Sequence, residues 1–448
     1  MPARPSLTRI LLRLIALAML AVLAMSIAER WAGLMASQIP QQFLLFYVTP
    51  MVAAALLLFG LSFAGRETRL SALLCLAACV PAIYGAEFYL QYQRYDVRDR
   101  VETAARQFGN PFDPRSLDEV VADLRAKGTN AHPFMRILHH GGPLMPIANT
   151  PNRLIAMCNE IGQYLIIRSD RHGFNNPDAI WDQAPVEMAV VGDSFVHGFC
   201  APKNDGMVDR ARKSLPSIVN LGIGGNSPQT NLATLVEYAP VVRPRQIVWV
   251  HYAGNDLSGM MQDKNHPVLR RYVDEPGFTQ HLVDRDDEVV RMMDRFFDTE
   301  YGGTNRYAQT PIQSMLKRPR NFLKFTSVRE ALGITHWDGA TVDFDLLTRI
   351  FKRTKLLADS LGSKVTVISL PHVLQAAHEL ELPEQRLRDI VTGLGMNYMD
   401  AGAEMRKLGD TPSFYEFGSY GGHLSPKGNA LLADMILRAD GRQPISSR

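Results

Sequence analysis

The chain has 448 residues, with 48 basic against 45 acidic side chains, a formal net charge of +3 and four cysteines. So even a balance gives no bulk attraction for nucleic acid, and neither a zinc-ligand spacing nor a basic-aromatic module stands in the sequence. The length suffices for two or three structural units.

Three apolar runs occupy the first ninety residues. Ile10 to Ile27 is interrupted only by Arg13, Phe43 to Ala64 carries no charge, and Leu70 to Leu90 carries only Glu87. Each is roughly 18–22 residues long, enough to cross a hydrocarbon core of about 30 Å. They read as three transmembrane helices in a membrane domain over 1–92; two further spans argue against a cleaved signal peptide. Arg4 and Arg9 precede the first span and Arg13 lies near its start, Arg66 and Arg69 lie between the second and third, and only Arg30 lies between the first and second. The positive-inside rule keeps the amino terminus in the cytoplasm. Three crossings of the cytoplasmic (inner) membrane then put everything after about residue 92 outside, in the periplasm or its equivalent. A domain placed there works without cytosolic ATP, coenzyme A or NADH. The spans are poor in internal polar residues, which argues against a transport function.

Cys75 and Cys79 lie within the third span and read as packing residues. Cys158 and Cys200 are the two in the outer part, where an oxidising compartment permits a bridge. Sequence alone leaves a bridge and two separate buried thiols equally open.

Residues 93–182 read as a connecting module. Helical signals fall at Val101–Phe108 and Ser116–Ala126, strand character at Leu154–Arg168, and a polar loop runs from Ser169 to Pro177. The pair His139-His140 has neither partner nor spacing for a metal. From 183 to 448 strands alternate with helices: strands at Val186–Val191, Ile218–Leu221, Ile247–His251, Lys364–Leu370 and Asn397–Met399. Helices are predicted around Asp205–Ser214, Gln229–Tyr238, Phe344–Leu361, Glu384–Leu394 and Pro426–Arg438. Such alternation predicts an α/β domain with a mainly parallel sheet covered by helices. An insertion at about 257–342, rich in charge and aromatics, breaks the rhythm and reads as a lid or substrate wall.

The chemistry-bearing residues sit where strands end. Gly192-Asp193-Ser194 closes the first strand, placing a hydroxyl at the carboxyl edge of the sheet, where open α/β sheets carry their sites. A serine hydroxyl needs a neighbouring base to become a nucleophile. His423 lies just before the last helix, with Ser425 as its N-cap and Pro426 in its first turn. Oxyanion stabilisation needs preset donors. Gly225 lies in the turn after the second strand and Asn255 follows the third. The glycine cluster 222–225 is weak as a dinucleotide loop, since Ser227 replaces its third glycine. His197 and His251 read as packing or supporting residues, and Asp256 as a structural hydrogen-bond partner.

Gly-Asp-Ser, a turn glycine, Gly-x-Asn-Asp and a late histidine before a helix, in that order, resemble the SGNH hydrolase (GDSL esterase) superfamily over roughly 185–440. The resemblance implies a flavodoxin-like three-layer α/β/α domain with no metal and no cofactor. It implies Ser194 as nucleophile, His423 as base, and an oxyanion hole from the Ser194 and Gly225 N–H groups and the Asn255 amide. The family's aspartate three residues before the histidine is here Tyr420, leaving Glu416, Asp400 or a backbone carbonyl to orient the ring. The expectation is a membrane-anchored serine esterase or O-acyltransferase. Its substrates would be acyl esters, acetyl above all, of cell-surface or exported polysaccharide, or of lipid, alongside envelope polysaccharide biosynthesis partners. The alternative, supported by Tyr420, is a catalytically degenerate binding or assembly component of such a system.

Overall fold

The computed structural model describes residues 6–36, 48–135, 144–299, 310–317, 319–332, 342–380 and 382–441. His139-His140 lies outside them. The chain divides into two compact units, Met1–Asp96 with Thr310–Val342, and Val97–Gln309 with Asp343–Arg448.

In the first unit, α1 (Leu7–Ala36) and α3 (Arg66–Tyr95) are long and apolar enough to cross a membrane, with mean hydropathies of 2.6 and 1.7 over their most apolar stretches. Between them α2 (Thr49–Leu61) has 13 residues, a rise of about 20 Å, short of a core of about 30 Å. Among the described residues two helices of spanning length therefore stand where the sequence predicts three. The uncharged run to Ala64 is cut at Leu61 because the next residues make the turn into α3; residues 43–47 of that run lie outside the described residues. Leu12 and Ala16 of α1 pack against Ala55 and Leu58 of α2. Arg13, the charge inside the first apolar run, donates to the Ser62 hydroxyl at 3.1 Å, and Arg9 donates to the Ser62 carbonyl at 3.2 Å. Charged groups that would be costly in hydrocarbon are thus gathered at one end of the helices.

The predicted insertion is split between the units. Its part from Thr310 onward belongs to the first unit, where short helices over Pro311–Leu316, Pro319–Leu323 and Thr326–Ala331 meet α3. Glu87, fully buried, accepts the backbone N–H groups of Ser327 at 3.0 Å and Val328 at 2.8 Å. Tyr84 packs on Phe322 and Phe325. A buried carboxylate on the apolar helix needs donors, and this piece of the insertion supplies them.

The second unit is built on a five-stranded parallel sheet in the order β5-β4-β6-β7-β8, from β4 (Met188–Val191), β5 (Ile218–Asn220), β6 (Gln246–Tyr252), β7 (Lys364–Leu370) and β8 (Asn397–Asp400). Taken in chain order this is 2-1-3-4-5, the flavodoxin-like winding, whose switch point lies between the first and third strands. The interior strands read as continuous apolar runs because helices cover both faces. Met188, Val190, Val248 and Val250 pack with Leu432, Met435 and Ile436 of the last helix; Trp249 meets Phe351 at 5.0 Å between ring centroids.

Residues 97–182 fold into the same compact unit. Two helices, Val97–Phe108 and Leu117–Ala126, precede a small sheet in which β1 (Ala131–Pro133) runs parallel to β2 (Leu154–Ala156) and β2 pairs antiparallel with β3 (Ile166–Arg168). Met157 and Cys158 continue the hairpin by pairing with Leu165. The connection from 158 to 165 is the piece of this module that reaches the site.

Candidate active site

Ser194 follows β4 and opens a one-turn helix, Ser194–His197, ended by Gly198. Gly192 before it admits no side chain: a Cβ there would meet Val196 at 2.6 Å and the Val250 carbonyl at 2.9 Å. Asp193 caps the turn, accepting the Phe195 N–H at 3.0 Å. Its second oxygen takes the Asn255 side-chain amide at 3.2 Å. Burial, and then the neighbouring Asp256 carboxylate, raise Asp193 well above the ordinary carboxylate range.

His423 is carried on the segment before the last helix, Pro426–Ala439, whose N-cap is Ser425. Its Nε2 lies 3.0 Å from the Ser194 hydroxyl. Its Nδ1 lies 3.0 Å from Oε1 of Glu160, while the other oxygen of Glu160 accepts the His423 backbone N–H, also at 3.0 Å. With Nδ1–H donated to a carboxylate, Nε2 is left as an acceptor facing the serine, the arrangement a general base requires. The rings of Phe195 and Phe199 flank the imidazole at 5.1 and 5.2 Å.

Neither sequence candidate for the orienting acid makes this contact. Asp400 caps the helix Ala401–Leu408 by accepting the Ala403 N–H at 3.1 Å. Glu416 meets this loop through its backbone, donating its N–H to the His423 carbonyl at 2.8 Å. Burial, then the nearby Glu160 carboxylate, push the Glu416 carboxyl up to about 7. Tyr420 lies on a turn and is 56% exposed. The acid instead comes from the hairpin connection of the 97–182 module. Cys158, two residues before Glu160, is bridged to Cys200, six residues after Ser194. The bridge sits in an apolar cluster with Ile155, Met157 and Ile167, and Phe199 packs against it.

The three expected oxyanion donors stand at the ends of β4, β5 and β6. Gly225, at φ +77°, holds a left-handed turn that side chains resist. The N–H groups of Ser194 and Gly225 have no acceptor among the described residues. His197 braces this turn: it is fully buried, and its Nδ1 faces the Gly224 N–H at 3.3 Å. Burial, and the nearness of His423, lower it to about 3, so it stays neutral at working pH. His251 and Asp256 are buried together, 3.1 Å apart, and Asp256 accepts the Tyr252 N–H. That contact shapes the turn before Asn255.

Among the described residues Glu160, Cys200 and His423 bring potential ligand atoms within 4.8 Å of one another. Cys200 is bonded to Cys158 and offers no thiolate, so the set does not fit a metal.

No family model matches the chain, and no curated protein matches it. Among solved structures, a mutant of Axe2, an acetyl-xylooligosaccharide esterase from Geobacillus stearothermophilus, is similar at 15% identity over 59% of this chain and 99% of its own, with a TM-score of 0.32. A catalytic mutant of the same acetylxylan esterase has the same identity and coverage and a TM-score of 0.30.

Proposed function

We propose that this chain is a membrane-anchored serine esterase or O-acyltransferase of the SGNH type, acting on acyl esters of cell-surface or exported polysaccharide. The carrying observation is the continuous relay from Ser194 Oγ through both nitrogens of His423 to Glu160. Ser194 attacks the ester carbonyl as its proton passes to Nε2. The carbonyl oxygen takes up charge facing the N–H groups of Ser194 and Gly225 and the Asn255 amide, each donor contributing about 10²–10³ in rate. The imidazolium, held by Glu160, returns the proton to the leaving sugar oxygen, and an acyl-serine remains. Water or a second sugar hydroxyl then loses its proton to His423 and takes the acyl group, and the imidazolium returns that proton to the departing Ser194 Oγ. Tyr420 no longer argues for a degenerate fold, because the acid it displaces is supplied by Glu160.

The Cys158–Cys200 bridge favours an oxidising compartment for this unit.

The test is labelling by a fluorophosphonate probe together with hydrolysis of p-nitrophenyl acetate. Native protein is expected to label and turn over, and Ser194→Ala to lose both. Turnover that survives Ser194→Ala would overturn the mechanism.

A further inference from the structure

Behind the loop that carries His423 lies an open cavity of about 620 Å³, bounded by the helix Val97–Phe108 and the 413–426 segment. Its volume falls in the range of about 300–1,000 Å³ typical of small-molecule sites. Asp99, Arg100, Gln107, Glu416, Phe417 and Tyr420 give it its chemical character. The Arg100 guanidinium lies 5.7 Å from the Phe417 ring centroid and 5.9 Å from that of Tyr420, so planar groups of both walls meet there.

The cavity wall and the catalytic relay share one piece of backbone. Tyr415 pairs with Leu424, and Glu416 donates its N–H to the His423 carbonyl at 2.8 Å. Gly422 is pressed between them: a Cβ there would meet the Phe417 ring at 2.7 Å and Glu160 Oε2 at 3.4 Å. A ligand in the cavity therefore sits one backbone layer from the groups that orient His423.

The lining selects a class of ligand. An acyl chain would want a largely apolar wall, and here carboxylates, an amide and hydroxyls interrupt it. A phosphate or uronate would want an excess of cations, whereas Arg100 is offset by Asp99. Flat aromatic faces beside carboxylate, amide and guanidinium groups suit a pyranose, whose C–H face packs on a ring while its rim hydroxyls hydrogen-bond. Glu416, with its carboxyl pushed up to about 7, can both donate to and accept from such hydroxyls near neutrality.

We infer that this cavity is a subsite for a neutral sugar residue of a glycan, placed beside the relay to hold the polysaccharide while a neighbouring ester reacts at Ser194. The inference rests on the proposed esterase reading for its purpose, though not for its geometry. Tyr420 then has a positive role: with Glu160 orienting the histidine, it forms part of the sugar-binding wall.

The test titrates full-length Ser194→Ala protein in detergent micelles with xylotetraose, cellotetraose and chitotetraose by calorimetry. At least one is expected to bind, and either Tyr420→Ala or the cavity-filling Thr103→Trp is expected to weaken it tenfold or more. Circular dichroism checks that both variants fold, and two separate substitutions guard against the loss of one. No binding by any of the three sugars, or binding indifferent to both folded variants, overturns the subsite. Fluorophosphonate labelling of the native serine is read in parallel. A labelled serine with indifferent binding rejects the subsite alone. An unlabelled serine with Tyr420-dependent binding upholds the subsite and rejects the esterase reading.

Discussion

Glu160→Gln is the perturbation that bears most directly on the relay. The carboxylate serves two donors at once, the His423 backbone N–H and its Nδ1–H, each at 3.0 Å. Glutamine keeps the volume but has one acceptor oxygen for the two. When that oxygen takes the backbone N–H, the amide NH₂ faces Nδ1 and favours the tautomer with its proton on Nε2. That nitrogen, 3.0 Å from the Ser194 hydroxyl, can then no longer accept. Loss of a triad acid through the wrong tautomer costs about 10⁴ in kcat, or about 5 kcal/mol on the barrier at about 1.4 kcal/mol per tenfold. Steady-state hydrolysis of p-nitrophenyl acetate should show kcat falling by about 10³–10⁴ with KM nearly unchanged, because Glu160 touches the histidine and not the ester. Glu416→Gln and Asp400→Asn should stay within about tenfold of native, since neither side chain holds the ring. A folded Glu160→Gln protein within tenfold of native activity, or an equal collapse in Glu416→Gln, would refute the assignment.

Three further outcomes follow from the same geometry. Asn255→Ala should lower kcat by about 10²–10³; a loss under fivefold would remove its amide from the oxyanion site. Cys158→Ser opens a bridge spanning 42 residues, a loop whose closure is worth about 4 kcal/mol on the chain-entropy account. Urea unfolding should register that loss, and kcat should fall as well because Glu160 is two residues away; unchanged kcat would sever the bridge from the site. Glu416 is raised from 4.5 to about 7 in the fold, so the folded state holds a proton that the unfolded chain releases. Its stabilising contribution is complete below about 4.5 and is lost as pH rises through about 7. Midpoints measured across that window should decline more steeply for native protein than for Glu416→Gln, and parallel profiles would contradict the shift.

Much of this was readable in the residues because each chemical group sits against a regular element. The strand Lys364–Leu370 and the helix Phe344–Leu361 have the predicted limits, for buried apolar runs and amphipathic periodicity are strong local signals. Ser194, Gly225, Asn255 and His423 lie directly after strands or before a helix, so the parallel sheet brings them to one edge. Glu160 carries no such signal: it sits on an irregular connection between three-residue strands, 263 positions from its histidine. The one sequence hint was Cys158. Given a bridge to Cys200, an acid two residues from Cys158 must lie near the turn of Ser194, but the pairing itself was open. The membrane region failed differently. Composition counts the apolar residues of 43–64, but not the turn at Ser62–Gly65 that shortens α2. Nor does it show that residues after Thr310 supply donors to Glu87.

The origin of Glu160 changes what counts as the catalytic unit. A domain drawn from 183 onward contains the serine, the oxyanion donors and the histidine, but lacks the acid that orients the histidine. That acid reaches its place only when the 97–182 module has folded against the sheet, pinned by Cys158–Cys200 next to Glu160. On the proposed reading, oxidation therefore bears on activity as well as on stability, because the bridge anchors the loop that sets the tautomer of His423. Where thiols stay reduced the loop loses that anchor. An esterase assembled in this way is fully poised only in an oxidising compartment, which is where the acylated polysaccharide it is proposed to act on would be met.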